Sequence, residues 1–279
     1  MKKTVVKAEK VCYTYDDGTQ ALKGIDLEIK QGEKIAIMGA NGSGKSTFFL
    51  HLNGVMKPKS GVIYIGENPI DYSRKGLLEV RKKVGIVFQD PDNQLFSANV
   101  TQEISFGVLN LGFTEEEAKA KVEQVIEELN ITEFKDKPTH FLSGGQKKRV
   151  AIADILVMNP EVIILDEPAS ALDPKHARMI DGIVDQLSEK GITVILSTHD
   201  VERALIWADR VILFHDGCVV GQGSPDEVFS NEELLTKTNL EKPTVLRIFN
   251  RLCDVGILSR ELPIPHTAEE LEQYIIQSR

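Results

Sequence analysis

One stretch of eight residues limits what this chain can become: Gly39-Ala40-Asn41-Gly42-Ser43-Gly44-Lys45-Ser46. It follows a short apolar run, Lys34-Ile35-Ala36-Ile37-Met38, and precedes a segment with helical character from Lys45 to about Asn53. The glycines let the backbone fold tightly enough for successive N–H groups to converge on an anion. The helix that opens there adds the partial positive charge of its N-terminus. Lys45 supplies a point charge for β- and γ-phosphates, and Ser46 a hydroxyl for Mg²⁺. The spacing therefore predicts a nucleotide-binding loop between a strand and a helix.

The rest of the chain agrees with an α/β fold. Val5, Val6 and Ala8 begin one alternating run, Leu22, Ile25, Leu27 and Ile29 continue another, and Asp16-Asp17-Gly18 marks the turn between them. Val84–Phe88 reads as a further buried strand. Residues 114–129 predict an amphipathic helix, with Thr114 and Glu117 as a capping box and Ala118, Val122, Val125, Ile126 and Leu129 on one face. A helix from near Ser143 to Met158 follows, then strand 162–165, helix 175–189, strand 192–197, helix 200–208 and strand 211–214. Strands alternating with helices imply a largely parallel sheet covered on both faces. From about residue 231 Pro243, Pro263 and Pro265 punctuate short helical stretches, 245–252 and 268–276, which read as a small C-terminal appendage.

Composition narrows the class. Of 279 residues, 42 are acidic and 33 basic, a net charge of −9 that lacks the clustered basic footprint of a nucleic-acid binder. Hydrophobic residues make up 42 %, enough for a sizeable core. Cys12, Cys218 and Cys253 are far apart and form no C-x-x-C pair, which argues for a reducing compartment and against a disulfide or zinc framework. The N-terminus lacks the apolar core of a secretory signal, and no apolar run approaches the ~20 residues needed to cross a bilayer.

Three further features gather chemistry. Val162-Ile163-Ile164-Leu165-Asp166-Glu167 is an apolar strand ending in two acids. Strand C-termini face the ligand crevice of a parallel sheet, so Asp166 is placed for Mg²⁺ and Glu167 is a candidate base for the attacking water. Gln89 follows strand 84–88 and His199 follows strand 193–198 in the same manner. The Gln89 amide suits Mg²⁺ or water, and His199 is a candidate for the γ-phosphate. Leu142-Ser143-Gly144-Gly145-Gln146 opens a helix with a serine and two glycines, a second anion-binding arrangement. One chain with one phosphate loop has no use for two phosphate grips, so the second is expected to serve the nucleotide of another subunit.

At this point the chain resembles the ATPase subunit of an ABC transporter. Residues 1 to about 230 carry that family's motifs in order: Gly39–Thr47 as Walker A, Gln89 as the Q-loop, Leu142–Gln146 as the signature and Val162–Asp166 as Walker B. Glu167 matches the catalytic glutamate, Ser170-Ala171-Leu172-Asp173 the D-loop and His199 the switch histidine. Tyr15 resembles the aromatic that stacks on adenine, with Tyr13 as its competitor. The resemblance implies a P-loop NTPase with a mostly parallel core sheet, an N-terminal antiparallel β part and a helical subdomain over about 90–160. It implies ATP and Mg²⁺ bound by Gly39, Asn41, Gly42, Ser43, Gly44, Lys45, Ser46, Thr47 and, from the opposite subunit, Ser143, Gly144, Gly145 and Gln146. Ser46, Gln89 and Asp166 would hold the metal, and Glu167, His199 and Gln89 would act in hydrolysis.

Phe88-Gln89-Asp90-Pro91-Asp92-Asn93-Gln94-Leu95-Phe96-Ser97, followed by Glu103-Ile104-Ser105-Phe106-Gly107, is similar to the energy-coupling-factor importers, and within them most like the cobalt-importer ATPase. That group carries an extra C-terminal segment linked to dimerisation, which residues 231–279 match. The implied partners are a second ATPase subunit, identical or paralogous, and integral membrane subunits; the implied place is the cytoplasmic face of the cell membrane. Leu95, Phe96 and Phe106 fit either a partner helix or the core of the helical subdomain. Nickel or a vitamin as cargo, an exporter, and an ATP-binding regulatory module without turnover are the competing readings. A DNA-directed ABC ATPase would need a long coiled coil where only 97 residues separate Lys45 from Leu142.

Overall fold

The computed structural model describes residues 2–278. In chain order the elements begin with β1 (Thr4–Thr14), β2 (Gln20–Lys30), β3 (Lys34–Met38), α1 (Lys45–Leu52), β4 (Ser60–Ile65) and β5 (Asn68–Pro69). Next come α2 (Arg74–Lys83), β6 (Val84–Val87), α3 (Val100–Asn110), α4 (Glu115–Glu128), α5 (Gly144–Leu156) and β7 (Val162–Asp166). The remainder is α6 (Pro174–Glu189), β8 (Thr193–Ser197), α7 (Val201–Trp207), β9 (Arg210–His215), β10 (Cys218–Gly223), α8 (Pro225–Ser230), α9 (Glu232–Thr238), α10 (Thr244–Asp254) and α11 (Ala268–Gln277). The chain divides into two compact units, one of residues up to Glu33 with Ser46–Ser197, the other of Lys34–Lys45 with the residues from Thr198 on.

In the first unit, β1 and β2 form a hairpin across the Asp16-Asp17-Gly18 turn, and β4 and β5 extend it to a four-stranded antiparallel sheet of order β2-β1-β4-β5. Strands β6, β7 and β8 pair in parallel. Every residue of these three strands is buried, as a continuous apolar run covered on both faces requires. Helix α4 carries the Thr114–Glu117 capping box and buries Ala118, Val122, Val125 and Ile126, as its spacing predicts.

In the second unit, β3 pairs in parallel with β9, and β10 returns antiparallel on β9. Their inward side chains, Met38, Val211 and Leu213, share one apolar cluster with Phe229, Leu235, Val245, Leu246, Phe249, Leu258 and Leu271. Each such fully buried side chain contributes ~1.5–3 kcal/mol relative to exposure. The segment after residue 231 thus folds onto the core that supports the strand leading into the glycine loop.

Candidate nucleotide site

The ends of the parallel strands gather a hydrogen-bonded chain of polar groups within the first unit. The in-register pairing of β7 and β8 sets Asp166 opposite Ser197. The Ser197 hydroxyl donates to Asp166 Oδ1 at 2.5 Å and accepts from the Glu167 N–H at 2.9 Å. The Ser46 hydroxyl donates to the other oxygen, Asp166 Oδ2, at 2.6 Å. Asp166 is 7 % exposed, so both carboxylate oxygens are occupied by serine hydroxyls inside the fold. Gln89, just beyond β6, donates its amide to Glu167 Oε2 at 3.2 Å. Ser46, Gln89, Asp166 and Glu167 are therefore brought together.

Glu167 sits at φ 44 and Ala171 at φ 59, left-handed backbone that costs ~1–3 kcal/mol for a residue with a Cβ. The Ser197 hydroxyl on the Glu167 N–H and the turn bond from Ser170 N–H to Glu167 O at 3.1 Å hold that conformation. The strain turns the second acid away from the strand direction that the first follows.

The glycine loop itself lies in the second unit up to Lys45. Gly39 has φ 140, and a Cβ there would stand 2.1 Å from the Phe214 carbonyl oxygen, so the loop leaves β3 along a path closed to any other residue. Gly42 (φ 79) and Gly44 (φ 103) occupy backbone that L side chains rarely adopt. The buried Lys45 ammonium donates to Gly39 O at 2.7 Å and Ala40 O at 3.1 Å, inside the curl of the loop. The Ser43 hydroxyl is buried and has no hydrogen-bond partner among the described residues, and Asn41 is exposed at the loop tip. Directly after Lys45 the chain enters the first unit, where Thr47 Oγ1 is 2.9 Å from the Tyr15 hydroxyl. The Tyr15 ring meets the Tyr13 ring edge-on, and Tyr13 packs in turn against His51.

Ser143 caps α5. Its hydroxyl accepts from the Gln146 N–H at 3.4 Å, and the Gln146 amide oxygen accepts from the Ser143 N–H at 2.9 Å. Gly144 and Gly145 form the first turn, with a Cβ at Gly145 only 2.7 Å from the His176 ring. His199 is exposed, two residues past β8.

The family model described as "ABC transporter" matches residues 22–170. The chain belongs to the ABC transporter family. It is 49 % identical over 246 residues, 88 % of this chain and 86 % of the relative, to the energy-coupling factor transporter ATP-binding protein EcfA3 of Clostridium perfringens. The solved structure of cbiO1 from the same organism, part of the ABC transporter complex cbiONQ, superposes with TM-score 0.75 at 48 % identity, covering 90 % of this chain and 99 % of that one. An ATP-binding cassette solved as a dimer in a post-hydrolysis state with ADP and Pi superposes with TM-score 0.72 at 33 % identity, covering 79 % of this chain and 98 % of that one. The chain is thus the ATP-binding subunit of an energy-coupling factor ABC transporter, an ATPase whose hydrolysis is coupled to transport. No helix among the described residues is long and apolar enough to cross a membrane.

Two further residues of this ABC ATPase, Ser197 and Lys148, hold the site without any motif that marks them. Ser197 holds Asp166 and Glu167 at once; pairing Val162 with Thr193 in register would have placed it opposite Asp166. Lys148 is 2 % exposed on α5 and directs its ammonium at main-chain oxygens beside Gln89 and Glu167. A lysine on the buried face that carries Ala151 and Ile152 was the available signal.

Proposed function

We propose that this chain powers cobalt uptake through separate membrane subunits, working as a head-to-tail pair of ATPase subunits at the cytoplasmic face of the cell membrane. The observation that carries the catalytic part is the linked set Ser46–Asp166–Ser197–Glu167–Gln89. In this reading Tyr15 stacks on adenine, while Gly39, Asn41, Gly42, Ser43, Gly44, Lys45 and Thr47 hold the phosphates of ATP. The unpartnered Ser43 hydroxyl and the loop's positive φ angles suit a ligand rich in acceptor oxygens.

Ser46, Gln89 and Asp166 would hold Mg²⁺. Their donors are all hard oxygens, and among the described residues no group of three His, Cys, Asp or Glu could cage a metal alone. That matches an ion which completes its shell with phosphate and water. When bound, Mg²⁺ neutralises charge on the β- and γ-phosphate oxygens. Glu167 takes a proton from the attacking water, Gln89 steadies the Glu167 carboxylate, and His199 contacts the γ-phosphate. Ser143, Gly144, Gly145 and Gln146 of one subunit close over the ATP of the other. Loss of the γ-phosphate removes that bridge and lets the pair open.

The ATPase domain spans 1–230, with its helical subdomain over about 90–160, and residues 231–279 serve dimer contact. Ile248, Val255, Ile257 and Ile276 of that segment are 45 % to 64 % exposed, apolar surface that a second subunit would cover. Phe96 and Phe106 are 66 % and 50 % exposed, meet edge-on at 4.8 Å, and flank a cavity of about 500 Å³ lined by Leu78, Ile86, Phe88 and Met158. A membrane-subunit helix packed there would receive the movement of the Gln89 loop. Cobalt as cargo rests on the resemblance of the 88–107 stretch.

The test is reconstitution with the membrane subunits in vesicles, scored by ATP-driven cobalt accumulation. Glu167→Gln should lower hydrolysis by ~10²- to 10⁴-fold while leaving ATP-dependent dimers intact. Hydrolysis near the parent rate in that variant sinks the base assignment, and vesicles that turn over ATP without accumulating cobalt sink the cargo.

A further inference from the structure

Lys148 is the most deeply buried cation beside the carboxylates, and its surroundings are main chain. Its Nζ donates to Gln89 O and lies 3.5 Å from both Phe88 O and Glu167 O. An ammonium has three donor hydrogens and here meets three carbonyl oxygens. Those oxygens belong to the residues that leave β6 and β7 side by side, Val87 being paired with Leu165. Burial pulls the Lys148 pKa below the ordinary lysine value, and the Asp166, Asp90 and Glu167 carboxylates push it back up.

We propose that Lys148 is a positioning residue for ATP hydrolysis, fixing the main chain of Gln89 and Glu167 to the helix that carries Ser143, Gly144, Gly145 and Gln146. This rests on the reading of Glu167 and Gln89 as the acting groups. Lys148 is five residues along α5 from Ser143, ~7.5 Å of rigid helix. A shift of the α5 N-terminus as a partner's nucleotide engages it therefore reaches the Glu167 backbone through one side chain. The strained φ of Glu167 makes that backbone sensitive to its supports, since the conformation persists only while its neighbours enforce it. Lys148 acts without touching nucleotide; it sets where the Glu167 carboxylate and the Gln89 amide stand.

The experiment compares the full-length parent, Lys148→Met, Lys148→Gln and Glu167→Gln, measuring steady-state hydrolysis of MgATP and the thermal unfolding midpoint. Methionine keeps the length and removes every donor; glutamine restores an amide donor. Misplacement of a catalytic group by ~1 Å can cost ~10²-fold. Lys148→Met should therefore lose ~10- to 100-fold in kcat with KM for ATP within about twofold, and Lys148→Gln should recover part of the loss. A folded Lys148→Met with kcat within about twofold of the parent overturns the proposal. So does a KM that rises as far as kcat falls, and so does failure of both Lys148 variants to fold, which would assign the residue to stability alone. An inactive Glu167→Gln beside an active Lys148→Met removes only the Lys148 proposal. An active Glu167→Gln removes the reading beneath it as well.

Discussion

Ser197→Ala removes one oxygen that serves two groups. The alanine can neither donate to Asp166 Oδ1, now 2.5 Å away, nor accept from the Glu167 N–H at 2.9 Å. Ser197 is 0 % exposed, so water does not replace the hydroxyl at once. A hydrogen bond to a charged group is worth ~1.5–3 kcal/mol, and an orphaned buried donor costs ~1–3 kcal/mol. Partial relaxation of the Glu167 turn recovers some of this, leaving a destabilisation of about 2–4 kcal/mol. The left-handed Glu167 backbone loses the side-chain support of its own N–H, so activity should fall with stability. Denaturant unfolding of the full chain should show a lowered midpoint at unchanged slope, and kcat for MgATP should drop ~10-fold or more with a smaller change in KM. Ser197→Thr keeps the hydroxyl and should stay close to the parent in both measurements. A Ser197→Ala protein with the parent's midpoint and rate would refute the claim that this hydroxyl holds the two acids in place.

Two further outcomes follow from the same geometry. Lys45→Ala deletes the ammonium that the loop curls around; losing a charge-assisted contact of ~1.5–3 kcal/mol should weaken ATP binding ~10- to 150-fold by equilibrium titration, and retained parent affinity would contradict the phosphate role. Asp154 is half-buried, but its Oδ1 is inside the fold with no hydrogen-bond partner among the described residues. Desolvation of the carboxyl, together with nearby Glu103 and against a hydrogen bond to Gln94, pushes it well above the usual range. A raised folded pKa means stability is intact below the unfolded aspartate value of ~3.9 and declines as pH rises above it towards the folded value. Asp154→Asn should therefore unfold at higher denaturant than the parent near pH 7 and lose that advantage near pH 3; a variant less stable at both pH values would show the carboxylate to be satisfied after all.

The sequence is most legible where one local rule suffices. Lys34–Met38 is a strand to the residue, because a continuous apolar run before glycines has no other place than a buried parallel strand. The Thr114–Glu117 box starts α4 where expected, since the two partners of the cap are only three residues apart. Elements held by distant packing left no such mark. Strand β10 contains Gly221 and Gly223, poor strand formers, yet it pairs with β9 while Leu234 and Glu227 press against those glycines. In the site, Gln89, Asp166 and Glu167 announce themselves as polar residues ending apolar strands. Ser197 and Lys148 do not, because their roles depend on strand register and on main-chain oxygens that no side-chain pattern encodes.

The glycines of Ser143-Gly144-Gly145-Gln146 do not carry equal information. At Gly145 a Cβ would stand 2.7 Å from the His176 ring, so the packing of α6 on α5 excludes a side chain there whatever the helix binds. At Gly144 the nearest neighbour of a Cβ is Leu172 Cδ2 at 3.6 Å, an ordinary contact, and its φ lies outside the left-handed region. The fold would accept alanine at Gly144, and helix propensity would favour it by ~1 kcal/mol. Packing within this chain therefore does not account for glycine at that position; in the proposed function it leaves the first N–H groups of α5 open to close approach of a partner's nucleotide. The Ser143 oxygen points the same way, since it accepts from the Gln146 N–H and keeps its own proton to donate. The proposed second phosphate grip is therefore tested at Ser143 and Gly144, because the packing of His176 already accounts for Gly145.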